Sequence, residues 1–496
     1  MKQNNLNKKI SSSTKWSSIT EIVSKLISPI TNMILARVLA PEVFGVVATI
    51  TMVISFSDMF TDAGFQKYIV QHEFKDKKDL ADSTNVAFWT NFIFSLIIWF
   101  TIFVFADPIA KLVGNEGKEK AIVVAGLAIP ILSFSSIQTA LYRRNFDFKT
   151  LFKARLVTSL IPLVITVPLA ILLKSYWAII FGNLLKEIAN AVILTVKSPW
   201  KPQLFYSFDK LKEMLSFSLW SLFEQISIWL TSNVDIFIVG RFLNEHYLGL
   251  YKTSMTTVNA YMAIITGATT PVLFSALSRY QNDESAFRNT FFKFQRYVAV
   301  LVMPMGIGLF LYRDLATQIL LGSQWMEASE FIGLWSLTSA FTIIFGHYNS
   351  EVYRSKGKPK LSLLSQCIHL VFLVIILMIL TPIGFRALYI GRSLVRIQGV
   401  ITGLIILWYC FGISTYSIMK NVYPAIVSSI VMGVVGFALQ QISQNVVWSF
   451  VSILICVIIY FAVLLLFPQM KEELLNFGFV RKFRSKAKKI QYSLHR

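Results

Sequence analysis

The chain's 496 residues are 55% hydrophobic and only 15% charged, which lies outside the range of water-soluble domains. Lys and Arg total 47 against 26 Asp and Glu, and a net charge of +21 would point a polar chain toward nucleic acid. With 41 Phe and 11 Trp the basic residues must instead lie between long apolar runs, so a membrane is the expected environment and no nucleic-acid partner is expected.

A helix needs roughly 20 residues to cross about 30 Å of hydrocarbon. Fourteen runs meet that length in chain order: 16–38, 43–64, 82–106, 120–141, 153–173, 176–196, 212–236, 246–275, 293–312, 328–350, 361–381, 384–410, 421–440 and 446–467. The first is followed by Arg37 and not by a small-residue cleavage site, so it reads as a retained span. Cys367, Cys410 and Cys456 all fall inside apolar runs, with no CxxC or His-rich spacing, so no disulfide, metal site or cofactor is expected. No connection exceeds about 20 residues, and none of G-x-x-x-x-G-K-[ST], H-E-x-x-H or G-x-S-x-G occurs. Transport is therefore expected, not catalysis.

Orientation follows from the alternation of basic connections. Cations crowd one side: Lys2 to Lys15, Lys67 to Lys78, Arg143 to Lys149, Lys197 to Lys212, Arg279 and Arg288, Arg354 to Lys360, and the tail from Lys471 to Arg496. The opposite connections, near Pro41, Lys174, Glu245, Arg313 to Glu330, Gly384 and Gln444, are poor in them, and Asp107 to Lys120 balances Lys with acids. Both termini are expected in the cytoplasm, with the tail motif RKFRSKAKK as a solvated anchor.

Sliding the chain on itself aligns ARVLAPEVFG (Ala36 to Gly45) with GRFLNEHYLG (Gly240 to Gly249) at an offset of 204, and WAIIFGNLLKEI (Trp177 to Ile188) with RALYIGRSLVRI (Arg386 to Ile397) at 209. LYRR at Leu141 matches VYRS at Val352 between them. The expected fold is all-α and polytopic: a tail 1–15, a lobe 16–198 of spans 1–6, a linker 199–211, a parallel-repeat lobe 212–411 of spans 7–12, spans 13 and 14 in 412–469, and a basic tail 470–496. Repeats of this kind place a transporter's substrate between the halves.

Charges inside spans cost about 2.5–3.5 kcal/mol each on insertion scales, so they mark cavities or partners. Glu21 and Lys25 are four apart in span 1, and Asp58 and Asp62 share a face in span 2. Span 7 carries the stripe Ser221, Glu224, Ser227, Thr231 and Asp235, expected to line water. Span 6 holds Asn183, Lys186, Glu187 and Asn190, and the repeat aligns Asn183 and Glu187 with Arg392 and Arg396 of span 12. The two arginines have no acid on their own helix, and a guanidinium fork matches phosphate oxygens. They are candidates, with Lys25 and Lys186, for binding an anionic substrate. The bland alternative pairs them with Asp58, Asp62, Glu224 or Asp235. For Glu21, Asp58, Asp62, Glu187, Glu224 and Asp235, helix pairing is favoured over ion coupling.

The segment NMILARVLAPEVFGVVATITMVISFSDMFTDAGFQKYIVQ (Asn32 to Gln71) resembles the opening hairpin of bacterial polysaccharide flippases, in the lipopolysaccharide and colanic acid exporter branch. LYRRNFDFK, YWAIIFGNLL, VDIFIVGRFLNEHYLGLY and TTPVLFSALSRYQND extend the likeness over roughly residues 15–410. The resemblance implies the fold of the multidrug, oligosaccharidyl-lipid and polysaccharide exporter superfamily, with two six-helix lobes around a lumen. It implies alternating-access movement of an undecaprenyl-diphosphate-linked oligosaccharide across a bacterial inner membrane, among membrane lipids and beside glycan polymerase and chain-length machinery. Lumen cations would bind the diphosphate. Lys186 and Glu187 depart from the branch, where small or uncharged residues are commoner. A cation-coupled multidrug exporter of the same superfamily is disfavoured by the cationic spans, and a membrane glycan polymerase or ligase by the short connections.

Overall fold

The computed structural model describes residues 27–62, 64–443 and 445–476, with side chains at all of these except 61, 62, 216–224, 227 and 474–476. Every regular element among them is helical. In chain order they are α1 (27–38), α2 (Pro41–Asp62), α3 (Phe65–Gln71), α4 (Lys77–Val104), α5 (Ala106–Leu112), α6 (Glu119–Gly126), α7 (Ala128–Arg144), α8 (Phe148–Ile161), a π-turn (Pro162–Thr166), α9 (Val167–Leu173), α10 (Tyr176–Lys197), α11 (Phe208–Phe242) and α12 (Glu245–Arg279). There follow α13 (Glu284–Leu311), α14 (Arg313–Leu320), a 3-10 turn (Ser323–Ala328), α15 (Ser329–Thr342), a π-turn (Ile343–His347), α16 (Asn349–Ser355), α17 (Pro359–Leu380), α18 (Phe385–Phe411), α19 (Thr415–Ile442), α20 (Val446–Leu465) and α21 (Pro468–Asn476). Short polar connections set the starts: Asp76, Asp147, Asp283 and Ser414 each accept a hydrogen bond from a backbone N–H in the first turn of the following helix.

Among the described residues, twelve helices are long and apolar enough to cross a membrane, and they coincide with twelve of the expected runs. Of the remaining two, 16–38 is described only from residue 27, and 212–236 falls within α11. Large apolar side chains point outward all along them, among them Val164, Leu172, Ile379 and Ile458. In water such a surface would aggregate; in lipid it is solvated, and helices keep every backbone group bonded. The protein is a multi-pass membrane protein.

Two compact units divide the described chain. The first comprises the residues up to Ala260 with Leu320–Ala328 and Leu370–Arg392; the second comprises Tyr261–Ile319, Ser329–His369 and the residues from Ser393. In the second unit α19 and α20 are tied to α13 and its end, with Tyr460 donating to the Val300 carbonyl at 2.7 Å, Tyr312 to Ser452 Oγ at 2.9 Å and Gln440 to the Leu311 carbonyl at 2.9 Å.

In the first unit, helix association rests on polar contacts and close approach, because lipid supplies no hydrophobic drive between helices. α7 is stitched to α4 by Asn91 Nδ2 to Ser136 Oγ (2.6 Å) and by Ser95 with Ser133 (3.0 Å), and to α10 by Gln138 Nε2 to Thr195 Oγ1 (3.2 Å). At the basic end, Tyr68 donates to Glu213 at 3.0 Å; burial, and then that carboxylate, raise the phenol above its ordinary range and keep it a donor.

The two copies of the repeated motif meet each other inside this unit. Gly45 lies against the backbone of Glu245, where a Cβ would sit 1.9 Å from the carbonyl oxygen, and Gly249 lies against Pro41, where it would sit 1.8 Å away. All four residues are related by the offset of 204. So are Glu42 and His246, whose side chains meet at 2.7 Å while the other ring nitrogen of His246 meets Glu327 at 2.8 Å. Since the obstacle at each glycine is backbone, Gly45→Ala or Gly249→Ala must push α2 and α12 apart. Each is expected to destabilise the protein by about 1–3 kcal/mol, read as a lower melting temperature of the purified chain. Unchanged melting in both variants would contradict this packing.

Candidate functional site

Two adjoining cavities lie among the spans of the first unit. The larger, about 670 Å³, is walled by α1, α2, α7, α8, the first π-turn and α10, and the other, about 500 Å³, by α2, α3, α4, α7, α10 and α11. Thr139, Arg143 and Asn190 line both. Along α10 the larger cavity extends from Ile179 to Leu194, about 22 Å at helical rise.

The walls follow from local sequence. α7 reads SFSSIQTALYRR from Ser133, so hydroxyls and an arginine replace apolar residues on the face turned inward. The α8 span widens into a π-turn at Pro162, which has no N–H to donate. Thr166 of that turn packs against Gly182 of α10, where a Cβ would sit 1.9 Å from Thr166 Oγ1. That hydroxyl is buried without a hydrogen-bond partner among the described residues.

Charge distinguishes the larger cavity: among the described residues, Arg143, Arg155 and Lys186 line it against one acid, Glu187. Lys186 is already occupied, 3.1 Å from Glu187. Arg143 and Arg155 are exposed to the cavity, and among the described residues neither side chain has an ion-pair or hydrogen-bond partner. Arg155 stands seven residues inside its span, roughly two turns from the end. The adjacent Arg144 differs, because its guanidinium donates to the carbonyls of Ile69 (2.8 Å) and His72 (2.7 Å) and covers the Phe74 ring. Two unpaired guanidinium groups in a cavity among apolar spans make a receptor for an anion with several oxygens.

The residues expected from sequence fall in different places. Lys186 and Glu187 line the larger cavity as a pair, and Asp58 lines the second. Arg392 lines neither. It is buried in α18 with Nε 3.0 Å from Tyr251 Oη and 3.4 Å from Asp235 Oδ2, while Tyr251 donates to the same carboxylate at 2.9 Å. Of the alternatives weighed for this arginine, pairing with Asp235 is the contact found. Arg396 lies in the second unit, donating to Ser339 Oγ at 2.6 Å with its guanidinium 4.0 Å over the Trp335 ring. Glu21 and Lys25 lie outside the described residues, as do the side chains of Asp62, Ser221, Glu224 and Ser227.

Of the stripe expected to line water on α11, only Thr231 and Asp235 have described side chains. Among the described residues, α11 lines the second cavity with Gln225, Ile228, Trp229, Ser232 and Asn233. Asp235 is buried and turned to Tyr251 and Arg392. Arg143 and Arg155 escaped the sequence reading because both stand near a basic connection, where cations are expected anyway. The pointer to them was the run from Arg143 to Arg155, which carries five basic residues across a connection of three.

A family model described as polysaccharide biosynthesis protein matches residues 34–330. An uncharacterized membrane protein in the cps region of Klebsiella pneumoniae is 25% identical over 357 residues, covering 71% of this chain and 72% of that one. The lipopolysaccharide biosynthesis protein WzxC of Escherichia coli K12 is 22% identical over 326 residues, 64% of this chain and 65% of that one. Among solved structures, the lipid II flippase MurJ in an inward closed conformation superposes with a TM-score of 0.73 at 16% identity, covering 91% of this chain and 98% of that one.

Proposed function

From the premise that this chain belongs to the polysaccharide biosynthesis protein family, we propose that it is a flippase and not an enzyme, moving an undecaprenyl-diphosphate-linked oligosaccharide across the bacterial inner membrane for lipopolysaccharide or exopolysaccharide assembly. The observation that carries this reading is the pair of arginines, Arg143 and Arg155, that line a cavity among the spans and have no side-chain partner among the described residues. A diphosphate removed from water needs its charge neutralised, and two guanidinium forks supply both charge and directed donors. The hydroxyls and amides continuing along α4, α7 and α11 suit a glycan, and the lipid tail stays in the bilayer. The fold shared with a lipid II flippase, and a relative named for lipopolysaccharide biosynthesis, support it.

The mechanism is alternating access between two lobes, 16–198 and 212–411, with both termini cytoplasmic. In a null strain the lipid-linked precursor should accumulate at the cytoplasmic leaflet while its synthesis continues and surface glycan is lost. Normal export, together with sensitivity to cationic drugs, would overturn the reading in favour of a multidrug exporter. Orientation has its own test in a chain lacking its three native cysteines. Glu116→Cys and Asn445→Cys should react with an impermeant thiol reagent from outside intact spheroplasts, and Lys358→Cys only after lysis. The reverse pattern would invert the topology.

A further inference from the structure

We infer that the second cavity is a saccharide subsite, adjoining the diphosphate at Arg143 and holding the first sugars of the glycan; this rests on the flippase reading above. The two cavities share Arg143, Thr139 and Asn190, so an anion held by the arginines of the first has its next substituent in the second. That order, phosphate then sugar, is the order in a glycosyl diphosphate lipid. The second cavity offers what a sugar ring requires, a tryptophan wall beside neutral donors and acceptors such as Asn91, Gln225 and Asn233. Trp229 supplies the wall. Its indole N–H donates to Ser55 Oγ at 3.0 Å and its ring packs on Phe56 with centroids 4.8 Å apart, so it is fixed before any ligand arrives.

An unsatisfied group at the cavity wall is the independent observation. Asn91 is fully buried and lines the second cavity. Its Nδ2 donates to Ser136 Oγ at 2.6 Å, and the Ser136 hydroxyl is itself spent on the Ser133 carbonyl at 3.0 Å, which fixes the amide's orientation. Asn91 Oδ1 then has no partner among the described residues. A buried carbonyl without a donor is costly, and a sugar hydroxyl is a donor of suitable size.

The test measures binding of two lipids to the full-length protein purified in detergent: undecaprenyl diphosphate alone, and the lipid-linked glycan extracted from the strain that carries the protein. The wild type should bind the glycan-bearing lipid roughly tenfold more tightly, as a few well-placed contacts would give. Trp229→Ala and Asn91→Leu should abolish that preference and leave the affinity for undecaprenyl diphosphate unchanged, which also reports that they fold. Trp229→Phe, which keeps a ring and loses the bond to Ser55, should retain part of it. Arg143→Gln should weaken both lipids. Equal wild-type affinity for the two lipids, or equal weakening of both by Trp229→Ala, would overturn the subsite and leave the flippase reading standing. Failure of the wild type to bind either lipid would overturn both.

Discussion

Arg143→Gln and Arg155→Gln are each expected to cut glycan export about tenfold or more, the scale of one charge-assisted contact to an anion, while leaving the amount of protein in the membrane near normal. The asymmetry follows from their surroundings. Neither guanidinium has a partner within the described protein, so its removal leaves no acid or carbonyl stranded. Gln keeps some donors and loses the charge; Lys keeps the charge and loses the fork, so Arg→Lys should restore export only in part. The double Gln variant should abolish export. The measurement is surface glycan normalised to membrane protein, and full export by both single variants would exclude these residues from anion binding.

Asp235 and Arg392 should behave in the opposite way. Both are buried, the acid 2% and the arginine 8% exposed, and they are joined directly and through Tyr251. Asp235→Asn takes the paired carboxylate from a buried guanidinium, and Arg392→Gln takes the guanidinium from a buried carboxylate, each at about 3–5 kcal/mol. Folded protein should therefore fall sharply in either single variant. A double change that neutralises both, Asp235→Asn with Arg392→Gln, should recover much of the abundance, because the two charges of the pair are removed together. Abundance unchanged in the single variants, with export lost, would return Arg392 to a role in binding substrate.

The contrast between these two arginine sets marks what could be read from sequence. Span positions were legible because about 20 consecutive apolar residues leave few alternatives to a crossing helix, and twelve of the fourteen runs recur as apolar helices among the described residues. The hairpin motif was legible as family likeness. Which way a helix faces was not. On α11, Asp235 of the expected stripe turns to Tyr251 and Arg392, while Gln225, Trp229, Ser232 and Asn233 are among the described residues that line the cavity. Partners were also illegible: Arg392 has no acid on its own helix and finds one 157 residues away, while Lys186 finds its acid next door. Arg143 resembled a loop cation and stands in a cavity. The repeat relates Asn183 to Arg392 by position alone, since the first lines the larger cavity and the second is sealed in an ion pair.

The most direct measurement is translocation itself. The purified chain should be reconstituted into vesicles carrying lipid-linked glycan, and the outer-leaflet fraction of the glycan followed with an impermeant glycan-cleaving enzyme. Wild-type vesicles should expose the inner-leaflet pool with time, Arg143→Gln/Arg155→Gln vesicles should match protein-free ones, and an Arg144→Gln chain that folds should still translocate. Equal exposure in wild-type and protein-free vesicles, or full activity of the double variant, would contradict the account.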